Sequence, residues 1–263
     1  MKGRICLVAA LLVASVSCSI ARADFNVIPI PVGVGVKITH LPYTITQAGF
    51  YYVARDLSST GDGILITAHN VTLDLMGFCL TGPGTGTYDG VAIQGGSSNV
   101  EIRNGVVTNF HDGISDINAG SGHHILNMRS HNNSGRGIHL AGRNHMVKNS
   151  TFLDNGGIGI SLLNYSIVSG NVSSGNGGTG ISLTGGGSLI NNVVYDNDGY
   201  GFNVSYLSPS ARYVFDQNTV YDNDSGAING LPPSAAWGRG GAAGRSARHG
   251  HGALRGRPHR PPA

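Results

Sequence analysis

Cysteine is nearly missing from this chain: three in 263 residues, with Cys6 and Cys18 close to the start. Once the leader described below is removed only Cys79 remains, so no intrachain disulfide is expected, and stability has to come from a buried apolar interior. Cys79 lies in the apolar stretch Leu75–Leu80 and is expected as a buried filler. Charge is sparse, at 12% Asp, Glu, Lys and Arg, and aromatics make up 7% with a single Trp. After the leader no apolar run is long enough to cross a bilayer as a helix, so no membrane span is expected. Helical periodicity is absent too, which argues against bundles and α/β folds. What the chain has in excess is glycine, 42 residues.

The net charge of +3 misleads until it is divided along the chain. Residues 24–224 hold eight Lys/Arg and all fourteen Asp/Glu, whereas residues 225–263 hold six Arg and no acid. The body is therefore acidic, and no nucleic-acid partner is implied. Lys2 and Arg4, the apolar run Ile5–Val16, and Ala21-Arg22-Ala23 read as an export signal over 1–23, cleaved before Asp24. Cys18 raises a lipoprotein alternative, but Ser15 stands where that signal prefers an aliphatic residue. The expected location is the bacterial periplasm or outside the cell. The tail, 227–263, is Ala, Gly, Arg, Pro and His with little to bury, and is expected to be disordered. A basic arm, a solvated linker, or a stretch read out of frame would each account for it.

Between these ends a glycine followed by an apolar residue recurs: Gly63-Ile64, Gly90-Val91, Gly113-Ile114, Gly137-Ile138, Gly159-Ile160, Gly180-Ile181 and Gly201-Phe202, at intervals of 27, 23, 24, 22, 21 and 21. A period in the twenties means one supersecondary unit stacked on copies of itself. After each glycine an apolar-x-apolar triplet marks a short strand, as in Ile160-Ser161-Leu162. A Gly/Ser/Asn turn follows, then a second strand with Val147, Val168, Leu189 and Phe215 in equivalent places. Next come Ser150, Asn171, Asn192 and Asn218, and then Asn155, Asn176, Asn197 and Asn223. Asparagine suits such corners, tolerating left-handed backbone and laddering its amide along a stack. Early copies are less regular: Asp116-Ile117 implies a strand shifted by one, and either Asn132 or Asn133 could fill the turn column. The prediction is an all-β, single-stranded right-handed parallel β-helix of about seven rungs, about 4.8 Å apart. It spans 58–226, with an N-terminal cap over 24–57.

The run Ile45-Thr46-Gln47-Ala48-Gly49-Phe50-Tyr51-Tyr52-Val53 resembles the cap of bacterial right-handed parallel β-helix proteins of the pectin-lyase type. Asn70–Phe78 looks like their first full rung, and Asn99–Gly105 like their later repeat. The resemblance covers roughly 40–226. It implies an acidic polysaccharide as partner, and lyase or epimerase chemistry if the protein is an enzyme. The active-family signatures are incomplete: Phe110-His111-Asp112 keeps only the last two residues of the alginate-epimerase Asp-Pro-His-Asp, and Gly122-His123-His124 is a partial echo of Gly-His-Gly.

Two constellations could carry chemistry. Tyr195-Asp196-Asn197-Asp198 and Tyr221-Asp222-Asn223-Asp224 occupy equivalent places on neighbouring rungs. Stacking would set Asp196 over Asp222 and Asp198 over Asp224, a cation site that Ca²⁺ would fit, as in the Ca²⁺-dependent lyases of the resembled group. Tyr195 and Tyr221 could stack on each other or on a sugar. Solvated aspartates flanking structural asparagines are the plainer alternative. The second constellation is the His/Arg group Arg103, His111, Asp112, His123, His124, Arg129, His131, Arg136, His139, Arg143, His145 and Lys148. From it His111, His124, Arg129 and His131 are the candidate catalytic residues, histidine for proton transfer and arginine to neutralise a uronate carboxylate. They fall at different places in the repeat, as surface scatter also would.

Overall fold

A three-residue strand with one apolar face is not stable alone, so each unit must find its partners in the units before and after it. The computed structural model describes residues 35–206 and 211–230, with the backbone of 236–237. Every strand pair in it is parallel, and each strand lies beside its counterpart one circuit away. No helix occurs among the described residues. The chain forms the expected right-handed parallel β-helix.

Each circuit has three faces. The front face is a nine-stranded sheet: Tyr43–Ile45, Ile64–Ile66, Val91–Ile93, Ile114–Asp116, Ile138–Leu140, Ile160–Leu163, Ile181–Thr184, Tyr200–Ser205 and Gly226–Asn229. Seven of these follow the column glycines. The first and last extend the coil beyond them, so residues 35–57 and 226–229 are wound into it rather than set apart. The second sheet makes both remaining faces. A back face runs through Met146–Lys148, Ser166–Ser169, Gly187–Ile190 and Tyr213–Asp216, and a side face through Thr151–Leu153, Val172–Ser174, Val193–Tyr195 and Thr219–Tyr221. The longer strands Glu101–Thr108 and His124–His131 belong to both, turning the corner at Asn104 and Asn127, where φ is 57° and 54°. Inward side chains stack in columns, among them the predicted Val147, Val168, Leu189 and Phe215, and together they make one continuous core.

The glycine column has a steric cause. A Cβ at Gly63, Gly90, Gly113, Gly137, Gly159 or Gly180 would lie 2.1–2.9 Å from the carbonyl oxygen of the next column glycine. Only a residue without a side chain allows that approach. The asparagine corners divide their labour. The left-handed backbone falls on the residue just before each ladder position, such as Asp154, Asn191, Asp196 and Asp222. The ladder residue is buried and passes its side-chain N–H on to the next oxygen: Asn133 to Asn155 (2.9 Å), Asn155 to Asn176 (2.9 Å), Asn176 to Asn197 (2.8 Å) and Asn197 to Asn223 (2.8 Å). A second ladder joins Asn171, Asn192 and Asn218. Asn133, not Asn132, takes the column.

Three expectations are corrected. Ile114–Asp116 is in register with Val91–Ile93 and Ile138–Leu140, so no shift occurs, and Asp116 points inward between Ile93 and Leu140. It is tolerated there because two backbone N–H groups and His123 satisfy it. His123 and His145, grouped above with surface residues, are both buried. Cys79 is half-exposed, because its neighbour Leu80 takes the inward place on that strand. The leader over 1–23, the start of the cap and most of the tail lie outside the described residues.

Candidate functional site

The residue before each column glycine sits where the side face turns onto the front face. In three successive circuits it is aspartate, Asp62, Asp89 and Asp112, and in the fourth it is Arg136. Each carboxylate accepts the backbone N–H of its successor: Asp62 Oδ1 from Asp89 (3.0 Å), Asp89 Oδ1 from Asp112 (3.3 Å) and Asp112 Oδ1 from Arg136 (2.6 Å). The other oxygen of Asp89 accepts the Ser115 hydroxyl, which projects outward from the front face. Burial pushes the Asp89 carboxyl up, and the charge of Asp112 adds to this. The Ser115 hydroxyl, the Asp112 N–H and His111 pull the other way.

His111 leans on this acidic column. Its Nδ1 lies 3.5 Å from Asp112 Oδ1 and 3.9 Å from Asp89 Oδ1, and its side chain is 42% exposed. Gly135 on the next circuit makes room for the ring, for a Cβ there would sit 3.0 Å from His111 Nε2 and 2.5 Å from Asp112 Oδ1. On the front face, His139 aligns with Ser115 and Ser161 and shares a 3.1 Å hydrogen bond with Ser161. Burial, and then the nearby Arg136, lower the pKa of His139. Beyond His139 the outward row continues as Ser161, Ser182, Asn203 and Asn229, all hydroxyls and amides. The arrangement offers an imidazole beside two carboxylates, an arginine one circuit on, and a row of uncharged polar side chains along the front face. Among the described residues, Asp89, His111 and Asp112 also bring ligand atoms within 4.8 Å of one another, and could hold a metal ion.

Comparison with known proteins matches residues 89–231 to the family described as right handed beta helix region. The chain belongs to that family. Similar solved structures include the Dettilon tailspike protein gp208, with a TM-score of 0.54 at 19% identity over 72% of this chain and 42% of that one. The A-module of the Azotobacter vinelandii mannuronan C-5 epimerase AlgE4 gives 0.53 at 20% identity, over 67% and 57%. The periplasmic alginate epimerase AlgG gives 0.50 at 16%, over 74% and 60%. The chain thus spans about two-fifths to three-fifths of those structures, and at this identity the likeness is one of fold. A search among curated proteins finds no match.

Within this β-helix the sequence-predicted residues separate. His111 alone of the four candidate catalytic residues joins the acidic column. His124 lies exposed on the back face between Glu101 and Met146. Arg129 and His131 point outward from the side face, and His131 Nδ1 lies 3.3 Å from the Thr108 hydroxyl. Tyr195 and Tyr221 end two side-face strands and stack at 5.0 Å with an interplanar angle of 6°. Asp196 and Asp222 follow at the corner with φ of 54° and 50°, and the amide of Asp196 bonds the carbonyl of Asp222. Asp198 and Asp224 tie back through their amides to Asn176 and Asn197. Sequence reading passed over Asp62, Asp89, Ser115 and Gly135. The signal was present as aspartate before the column glycine in three copies running, but Asp-Gly reads first as a turn.

Proposed function

We propose that this protein binds and modifies an acidic polysaccharide lying along the outer front face, with His111 as proton acceptor. The observation that carries this reading is His111 itself, partly exposed, with its Nδ1 3.5 Å from Asp112 and 3.9 Å from Asp89. A carboxylate behind an imidazole orients the ring and stabilises the imidazolium formed when it takes a proton. Abstraction of a proton α to a uronate carboxylate builds negative charge on that carboxylate, and Arg136 is the cation at hand to receive it. Reprotonation from the opposite side would complete an epimerisation, and loss of the glycosidic oxygen β to the carbanion would complete a lyase cleavage. The row Ser161, Ser182, Asn203 and Asn229 supplies uncharged partners for neighbouring hydroxyls. The named activities of the two similar epimerases agree with this substrate class. Export to the periplasm or beyond, read from the leader, fits a glycan found outside the cytoplasm. Ca²⁺ at Asp196, Asp198, Asp222 and Asp224, and sugar stacking on Tyr195 and Tyr221, are secondary proposals at the far end of the side face.

The test is incubation with alginate, pectate and chondroitin in deuterated water. Ultraviolet absorbance reports unsaturated ends, and NMR reports deuterium gained α to the carboxylate. Turnover that His111→Gln lowers by about 10²-fold or more, with binding kept, is the expected result. Binding without turnover would reduce the protein to a glycan-binding module. Neither binding nor turnover with any of the three would leave a non-catalytic scaffold.

A further inference from the structure

Behind the candidate site, on the inward side of the same front-face strand, lies a second ionisable group that plays no part in it. Asp116, His123 and His145 are 0%, 0% and 1% exposed. They occupy the corner between front and back faces, where the next circuit places Ser166. Asp116 Oδ2 is 3.1 Å from His123 Nε2, and the carboxylate also accepts the N–H groups of Asn118 and Gly120, closing the turn over 117–122. The two imidazoles stack at 4.9 Å.

The hydrogen bonds fix the tautomer of His145. Its Nδ1 accepts the His123 backbone N–H at 3.3 Å, and its Nε2 donates to the Ala141 carbonyl at 2.9 Å. A proton added to His145 must go to Nδ1, where it would face the His123 N–H, donor against donor, inside a buried corner. The ionisable groups around the ring are Asp116 from the front-face strand and His123 from the circuit before, with Arg143 exposed two residues away; the circuit after contributes the uncharged Ser166. Burial first, and then His123, lower the pKa of His145 to about 4, outweighing Ala141 and Asp116.

We infer that this corner is a proton-operated latch: acid breaks the bond from the His123 amide to His145 and frees the 117–122 turn while the rest of the coil stays wound. The amide ladders elsewhere carry no group that titrates in this range, so the opening is local. The strand carrying Asp116 inward carries Ser115 outward onto Asp89, so the latch adjoins the proposed glycan site without depending on that reading.

Amide hydrogen exchange, corrected for the intrinsic effect of pH, tests the latch in the mature chain. Protection of the Asn118, Gly120 and His123 amides should fall tenfold or more between pH 6.5 and 4, with Asn155 and Asn176 unchanged. His145→Gln, which can still accept from His123 but does not titrate, should flatten the response. Constant protection at the three amides overturns the proposal, as does equal loss at Asn155 and Asn176. The same fall in His145→Gln overturns it too, since the proton would then act elsewhere. If that variant does not fold, NMR titration of the wild-type His145 ring decides: its midpoint must fall at the acid end of the loss of protection, where the loss levels off, and a mismatch rejects the latch.

Discussion

Residues 150–224 close two columns of corners with asparagine ladders, whereas residues 89–148, which hold the first ladder residue Asn133, also close corners with aspartate, histidine and serine. Both halves share the glycine column and the same register. In the asparagine half each buried amide gives to one neighbour and accepts from another, so the pattern repeats without change. In the other half the backbone N–H groups meet carboxylates and imidazoles, whose bonding capacity changes with protonation. A neutral ladder makes a pH-indifferent support. An ionisable one satisfies the same donors and adds groups able to move protons.

The contrast can be tested by breaking each half. Asn176→Ala should have the largest effect on stability. It strips the acceptor from Asn155 and the donor from Asn197, Phe152 and Ser173, and should cost on the order of 3–5 kcal/mol in denaturant unfolding, alike at pH 7 and 5. Acid should act on the histidine half. The pKa of His145 is lowered in the fold, so the unfolded chain binds more protons between pH about 6.5 and 4. Stability therefore falls as pH drops through that window, by about 3 kcal/mol, and should level off below it for this group. Unfolding of wild type against His145→Gln across those pH values isolates the contribution. Gly159→Ala, which drives a Cβ against the Gly180 carbonyl, should cost about 1–3 kcal/mol whatever the pH. Tyr221→Ala, at the exposed stack with Tyr195, should cost about 1 kcal/mol or less by thermal unfolding. A pH-dependent Asn176→Ala or a pH-independent His145→Gln difference would erase the distinction between the halves.

How far the sequence could be read follows the same division. Val147, Val168, Leu189 and Phe215, and the two asparagine columns, were visible because regular circuits put like residues at like spacing. Asp116 was hidden because its partners lie elsewhere: His123 is reached only around the corner, and the carboxylate breaks an apolar column that otherwise announces the strand. His111 was legible as a candidate through Asp112 beside it. Asp89 was not, since circuits of unequal length hide the match of positions 22 residues apart. Tyr195 over Tyr221 was anticipated correctly, as two copies of one tetrapeptide on adjacent circuits must coincide.

The glycine seam sets a rule for how such a chain can grow. Between Gly63 and Gly90 the lap is six residues longer than the 21-residue laps near the far end, yet Ile64–Ile66 still pairs directly with Val91–Ile93. Surplus length is shed sideways at the corners and never passed on to the next lap. New recognition loops can therefore be grafted beside His111 while the winding beneath them stays in phase.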